Sequence, residues 1–254
     1  MIMKRKIAFI TGATSGIGKA CAYKFAENGF DLVLAGRRTE RLLELQEELS
    51  GTSNVRILAF DISNSVACQN AWESLDSDWQ MIDVLVNNAG LARGLEPIHE
   101  GFPENWDSMI DTNLKGLLYV TRLVSTGMVE RHSGHIINIG SIAGKEAYLN
   151  GNVYCATKFA VDGLSRAMRI DLLQFGIRVS AIHPGMVETE FSLVRFAGDE
   201  SKAKAIYQGL EPLSGEDVAG AVMFAVNCPA HVNISDMVIT PTAQAGVGHI
   251  IRNQ

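Results

Sequence analysis

Thr11-Gly12-Ala13-Thr14-Ser15-Gly16-Ile17-Gly18 follows the apolar run Ile7-Ala8-Phe9-Ile10 and leads into a segment of helical periodicity. Glycines at 12, 16 and 18 let the backbone turn tightly and approach a pyrophosphate without a Cβ in the way. A helix opening directly behind them offers free N–H groups and the positive end of its dipole to an anion. A glycine cluster by itself reads as an ordinary turn. After a first strand and before a first helix, it reads as a dinucleotide loop to which Gly12, Thr14, Ser15, Gly16, Ile17 and Gly18 contribute.

Outward from this loop, short β-branched and aliphatic runs alternate with helical segments. The spacing predicts strands over 6–10, 31–35, 55–60, 83–86, 135–139, 177–182 and 237–239, nearly continuous in apolar residues as buried parallel strands are. Helices are predicted over 16–28, 39–49, 65–79, 104–130, 152–175 and 215–226, with Thr39 as an N-cap and Gly29 and Gly176 as helix ends. This alternation, without repeat or Pro/Ser-rich linker, gives an α/β chain. It is one doubly wound (Rossmann) domain over 1–254 with a seven-stranded parallel sheet. Only residues 184–215 break the rhythm. They form an insertion with a weak helix near 199–208, and the Pro184-Gly185 hinge before it marks a substrate lid.

The end of the second strand bears on which dinucleotide. An NAD site usually carries an Asp or Glu there to bind the ribose 2′-hydroxyl. Here the sequence is Ala35-Gly36-Arg37-Arg38-Thr39. Two guanidiniums suit a 2′-phosphate through forked, charge-assisted hydrogen bonds, so the pattern favours NADP over the bland reading of two solvated arginines.

With 254 residues and 47% hydrophobic content the chain can bury one sizeable core. A net charge of -6 with scattered basic residues argues against nucleic-acid binding; the short group Lys4-Arg5-Lys6 reads as solvated charge beside the first strand. The apolar run behind it is too short for a secretory core of about 7–15 residues. No stretch of about 18 apolar residues suggests a membrane span. The expectation is a cytoplasmic protein. Cys21, Cys68, Cys155 and Cys228 lie far apart and read as free thiols rather than a metal site or disulfides.

On these and further motifs the whole chain resembles the short-chain dehydrogenase/reductase family. TGxxxGxG is that family's glycine spacing. Asp61, with Ile62, resembles its adenine contact, and Asn87-Asn88-Ala89-Gly90 its cofactor-lining motif. Asn113, Ser141 and Tyr154-x-x-x-Lys158 match its catalytic tetrad. Pro184-Gly185, with Val187 and Thr189 beyond, matches the turn beside the nicotinamide. The residue chemistry agrees, because Tyr154 and Lys158 are four apart on one helical face. A free tyrosine is only about 0.1% ionised at pH 7, so a basic role needs a lowered pKa. Lys158 and the oxidised nicotinamide are the charges to supply it. The resemblance implies that Ser141 orients the substrate oxygen and that Asn113 anchors a water linking Lys158 to solvent.

Within the family, Gly134-His135-Ile136-Ile137-Asn138-Ile139-Gly140-Ser141, Gly151-Asn152-Val153-Tyr154, 190–196 and 229–234 are similar to NADP-dependent 3-hydroxy acid dehydrogenases. That resemblance implies hydride transfer between NADP(H) and a small 3-hydroxy acid of the serine, allo-threonine or 3-hydroxypropionate type, or its carbonyl form. A broad-specificity carbonyl or diketone reductase is the alternative enzyme. A non-catalytic NADP-binding sensor is the alternative of another class, and would be expected to lack Ser141, Tyr154 or Lys158. A carboxylate in a closed site needs a cation. Arg195 is the first candidate and Lys145 the reserve, against a surface ion pair of Arg195 with Glu188, Glu190 or Asp199. The apolar positions of 104–130 and 152–175 imply a homotetramer, as the family forms. The tail 243–254 is expected to reach a neighbouring subunit.

Overall fold

The computed structural model describes residues 5–253; Lys4 of the basic group and Gln254 of the tail lie outside them. Seven strands, β1 (Ile7–Thr11), β2 (Asp31–Gly36), β3 (Val55–Ala59), β4 (Val84–Asn87), β5 (His135–Ile139), β6 (Arg178–Pro184) and β7 (Asp236–Ile239), form one sheet in the order β3-β2-β1-β4-β5-β6-β7. Every pairing is parallel. All residues of β1, β4 and β5 are buried, as a sheet covered on both faces requires; the edge strand β7 instead alternates exposed and half-buried.

The side-chain period of two divides the core. Ala8 and Ile10 of β1 face one layer, against α1 (Gly16–Glu27), α2 (Thr39–Leu49) and α9 (Gly215–Val226). Ile7 and Phe9 face the other, against α3 (Ser65–Glu73), α5 (Leu117–Arg131) and α6 (Asn152–Asp171). Strand order reverses at β1, between its neighbours β2 and β4. The carboxyl ends there diverge into a crevice, the place where such sheets bind ligands.

The structure departs from several sequence-based expectations for local reasons. Thr39 is the first residue of α2 and not its N-cap; Arg38 takes the cap position and makes no side-chain cap bond. α3 stops at Glu73, short of 79, because Ser74 Oγ turns back to Ala71 O and Gln80 Nε2 holds the Trp72 and Leu75 carbonyls. The segment 104–130 is not one helix. α4 (Pro103–Ile110) and α5 are joined by a π-helical turn, Asp111–Gly116. There Gly116 packs so closely that an added Cβ would lie 2.9 Å from Ile62. Segment 152–175 ends as α6 at Asp171, followed by a 3₁₀ turn and Gly176 at φ 68°. The insertion holds two short helices, α7 (Phe191–Arg195), which periodicity did not signal, and α8 (Glu200–Ala205), capped by the Asp199 side chain.

The tail does not extend away from the chain. Ala245 and Ile251 N–H groups donate to His249 O and Ala243 O, closing a small loop. Asn253 N donates to Gly209 O, and Arg252 Nη2 to Ile206 O at 2.9 Å. Carbonyls at 206–209 are thus satisfied by Arg252 and Asn253, and residues 243–251 pair among themselves within the chain.

Candidate active site

A cleft of about 580 Å³ opens over the carboxyl ends of β1, β4, β5 and β6. Its floor is the loop after β1. Gly12 and Gly16 have φ of 66° and 51°, which β-carbon-bearing residues rarely adopt. Gly18 does not line the cleft; it permits the loop's closure, since a Cβ there would meet Gly12 O at 2.2 Å. The loop is held from below. Asn88 Nδ2 donates to Thr11 O at 2.9 Å, and Thr11 Oγ1 accepts the Asn88 and Ala89 N–H groups at 3.0 Å each. Asn87 braces the sheet instead, donating to Thr121 Oγ1 and Asn138 Oδ1. Ser15, the N-cap of α1, makes no cap bond, and the first turn of α1 carries no acid. The helix therefore presents free N–H groups and an uncompensated dipole to an anion.

Thr14, Ser15, Gly16, Ile17, Arg37, Arg38, Asp61, Ile62, Asn88, Ala89, Gly90, Pro184, Gly185, Val187 and Thr189 all line this cleft. Arg38 is tightly placed, with Nη2 on Thr14 Oγ1 and on Ser15 Oγ, both at 2.8 Å. Arg37 is more exposed, with Nη1 3.8 Å from Asp61 Oδ2. The Asp61 carboxyl is pushed up by burial, but the Ser63 hydrogen bonds and Arg37 outweigh this and hold it below the usual range. The glycine cradle, the uncapped helix and the two arginines together fit a dinucleotide bearing a 2′-phosphate.

Deeper in, β5 delivers Ser141 and α6 delivers Tyr154 and Lys158, all three buried and all on the cleft wall. Lys158 Nζ donates to Ile139 O at 2.9 Å and lies 6.0 Å from the Tyr154 ring centre. Burial without a carboxylate lowers the Lys158 ammonium to about 8. Burial also raises the Tyr154 phenol above its ordinary value. The tyrosine Tyr148 adds to this, while Ser141 and Arg195, rather than Lys158, pull the other way. In this state Tyr154 is a proton donor, and its basic role needs a further positive charge. Asn113 is buried and does not line the cleft. Its side chain accepts from Leu91 N and donates to Leu91 O and Thr157 Oγ1, which pins the π-helical turn to α6.

The two candidate cations separate sharply. Arg195 enters the cleft from α7, donating through Nη2 to Tyr148 OH at 2.7 Å and through Nε to Gly94 O at 3.2 Å. Its Cζ lies 5.6 Å from the centre of the Tyr154 ring. Among the described residues it makes no ion pair, contrary to the surface-pair alternative; Glu190 binds Arg38 and Arg41, and Asp199 caps α8. Lys145 points away from the cleft and binds Asp162 and Asp236, filling the centre of a cluster that also contains His183. Motif reading missed Tyr148, the Arg195 partner, and Phe191, whose ring stands 5.6 Å from that of Tyr154. It also missed Gln244, Val247, Ile250 and Arg252 of the tail, which close the cleft. Apart from Phe191, which lies in the subgroup-like stretch 190–196, no motif marks these residues, since they meet only through the fold.

The short chain dehydrogenase family model matches residues 6–199. The chain is 49% identical over 243 residues to NADP-dependent 3-hydroxy acid dehydrogenase YdfG of Salmonella typhi, covering 95% of this chain and 97% of that one. It is 43% identical to sulfoacetaldehyde reductase 2 of Chromohalobacter salexigens, over 94% of this chain and 95% of that one. Among solved structures it is similar to the closed form of serine dehydrogenase complexed with NADP+, with a TM-score of 0.91 and 47% identity over 98% of this chain and 100% of that one. With the glycine cradle and the Ser141, Tyr154 and Lys158 arrangement on the same cleft, these matches establish that the chain belongs to the short-chain dehydrogenase family of oxidoreductases.

Proposed function

We propose that the protein is an NADP-dependent 3-hydroxy acid dehydrogenase, moving a hydride between NADP(H) and a short acid of the serine, allo-threonine or 3-hydroxypropionate type. The observation that carries this reading is the Arg195 guanidinium, free of any carboxylate partner among the described residues and 5.6 Å from the Tyr154 ring centre. A buried or half-buried guanidinium beside a reacting centre favours a substrate that brings its own anion. Serine dehydrogenase and sulfoacetaldehyde reductase, among the relatives, are both named for molecules with an anionic group close to the reacting carbon.

The residues divide the work. The glycine loop, the α1 N-terminus, Arg37 and Arg38 bind NADP, which when bound supplies the hydride acceptor or donor. Ser141 hydrogen-bonds the substrate oxygen. Tyr154 takes the hydroxyl proton during oxidation and returns it during reduction. Lys158, whose ammonium burial lowers to about 8, lends positive charge when protonated, and a water anchored at Asn113 would link it to solvent for the proton to leave. Arg195, steadied by Tyr148, fixes the carboxylate, and the 184–215 insertion closes as the lid that excludes water.

Arg195→Met tests the reading. The Michaelis constant for serine or 3-hydroxypropionate should rise about tenfold or more, while that for an uncharged diketone stays unchanged, because a lost charge-assisted pair is worth roughly 1.5–3 kcal/mol. Equal effects on charged and neutral substrates would instead favour a broad-specificity carbonyl reductase.

We further propose a homotetramer in the cytoplasm. Leu118 on α5 and Phe159 and Ile170 on α6 stay exposed, although Leu117, Val120 and Met168 of the same helices turn into the core. A second copy of the chain would cover the exposed set. No helix among the described residues is long and apolar enough to cross a membrane, and the cysteines are free. Light scattering at micromolar concentration should return about four times the 27.5 kDa chain mass; a monomer refutes the assembly.

A further inference from the structure

Glu190 immediately precedes α7, yet its carboxylate reaches across the cleft to α2. Oε2 accepts from Arg38 Nη1 at 2.7 Å, and Oε1 from Arg41 Nη1 at 2.6 Å. The chemistry proposed above makes no use of it. A guanidinium has five N–H donors. On Arg38, Nε goes to Thr14 Oγ1 at 3.1 Å, Nη2 to Thr14 and Ser15, and Nη1 to Glu190, so one N–H is left. Among the described residues Glu190 is the anion on this arginine. Burial pushes its carboxyl up, but the hydrogen bonds and charges of Arg38 and Arg41 prevail and keep it below the usual carboxylate range. The insertion also touches the glycine loop beside this pair: an added Cβ on Gly16 would lie 3.0 Å from the Thr189 side chain.

We propose that Glu190 is a built-in stand-in for the cofactor's 2′-phosphate, holding Arg38 and Arg41 and latching the insertion to the glycine loop until the phosphate takes Arg38 and frees the insertion to close over substrate. This rests on the proposed placement of the 2′-phosphate at Arg37 and Arg38. It makes Glu190 a specificity-setting residue: only the phosphorylated dinucleotide can displace the carboxylate, so the insertion responds to NADP and not to NAD. The cost is affinity, since the phosphate must compete with a resident anion.

The test uses two fragments, 2′,5′-ADP and 5′-AMP, titrated calorimetrically at low salt into the wild type, Glu190→Gln and Arg38→Met. Glu190→Gln should bind 2′,5′-ADP about two- to fivefold more tightly than the wild type, the range set by a partly exposed ion pair, with 5′-AMP unchanged. By hydrogen exchange, 2′,5′-ADP should speed exchange over residues 189–205 in the wild type and 5′-AMP should not. In Glu190→Gln that segment should exchange fast with or without either fragment. If Glu190→Gln binds 2′,5′-ADP no more tightly than the wild type while Arg38→Met loses the preference for 2′,5′-ADP, the stand-in is overturned and the phosphate placement survives. If Arg38→Met keeps that preference, the placement itself fails.

Discussion

The two halves of the cleft are built from different material. The half against β1 and β2 is made largely of backbone, braced by Thr11, Asn88 and the Arg38 fork on Thr14 and Ser15, so its shape follows from glycine spacing and strand order. The half under the insertion is made of side chains from four separate stretches: Tyr148 after β5, Phe191 and Arg195 on α7, Tyr207 beyond α8, and Gln244 of the tail. Tyr207 OH donates to Val187 O at 2.9 Å and Met186 N donates to Gln244 Oε1 at 2.9 Å, while Phe191 and Val194 pack onto the buried cluster of Leu91, Met109 and Tyr154. The half that cradles a dinucleotide is fixed by backbone geometry, whereas the half under the insertion depends on side chains that meet from distant stretches of the chain.

The largest effect expected falls on the boundary between the halves. Tyr154→Phe should lower turnover by about 10³-fold while cofactor binding stays intact, because it removes the proton-transfer group and leaves the backbone cradle in place. Steady-state rates and a cofactor titration check this together. Full turnover in the variant would place the proton elsewhere.

Next is the cradling half itself. Arg37→Asp with Arg38→Ile should weaken NADP by about 100-fold or more and NAD hardly at all, since two lost phosphate pairs at about 1.5–3 kcal/mol each sum to roughly 3 kcal/mol or more. A uniform loss for both dinucleotides would show that Arg38 serves the loop through Thr14 and Ser15 rather than the phosphate.

The smallest is a stability effect. Lys158 has its folded pKa lowered by burial to about 8, below the ordinary 10.5 of the unfolded chain. Between those values the unfolded state binds more protons, so the wild type gains stability as pH rises through that window and carries the full penalty below it. The gain is at most about 3 kcal/mol. Melting curves of Lys158→Met against the wild type should therefore show a difference that shifts against the variant from pH 7.5 to pH 10. A difference independent of pH would mean that Lys158 titrates as a solvated lysine.

The legibility of the site divides along the same line. Gly12 and Gly16 could be placed by their spacing behind a strand and Tyr154 and Lys158 by sharing a helical face, which are local properties of the chain, while Asn88 and Ser141 were legible through the family resemblance. Arg195 could be suspected from its place in the insertion, within the subgroup-like stretch 190–196, but its partner Tyr148 lies 47 residues away and shares no motif with it. Lys145 illustrates the opposite failure. Adjacent to the Ser141 stretch in sequence, it is drawn outward by Asp162 and by Asp236, which arrives with the edge strand β7. Charge pairing between distant elements, invisible to spacing, decided which cation faced the cleft.

Alone, the sequence determined the strand–helix alternation, the seven-stranded parallel sheet and the dinucleotide cradle, because periodicity, glycine placement and strand order act over a few residues at a time. Tertiary structure alone decided three other features. It broke 104–130 into a π-helical turn around Asn113, folded the tail back over residues 206–209, and set Glu190 on Arg38 and Arg41. Each of these depends on polar groups separated by tens to more than a hundred residues finding one another once the sheet has brought them within about 3 Å, and hydrogen-bond range is a property of the fold, not of the spacing along the chain.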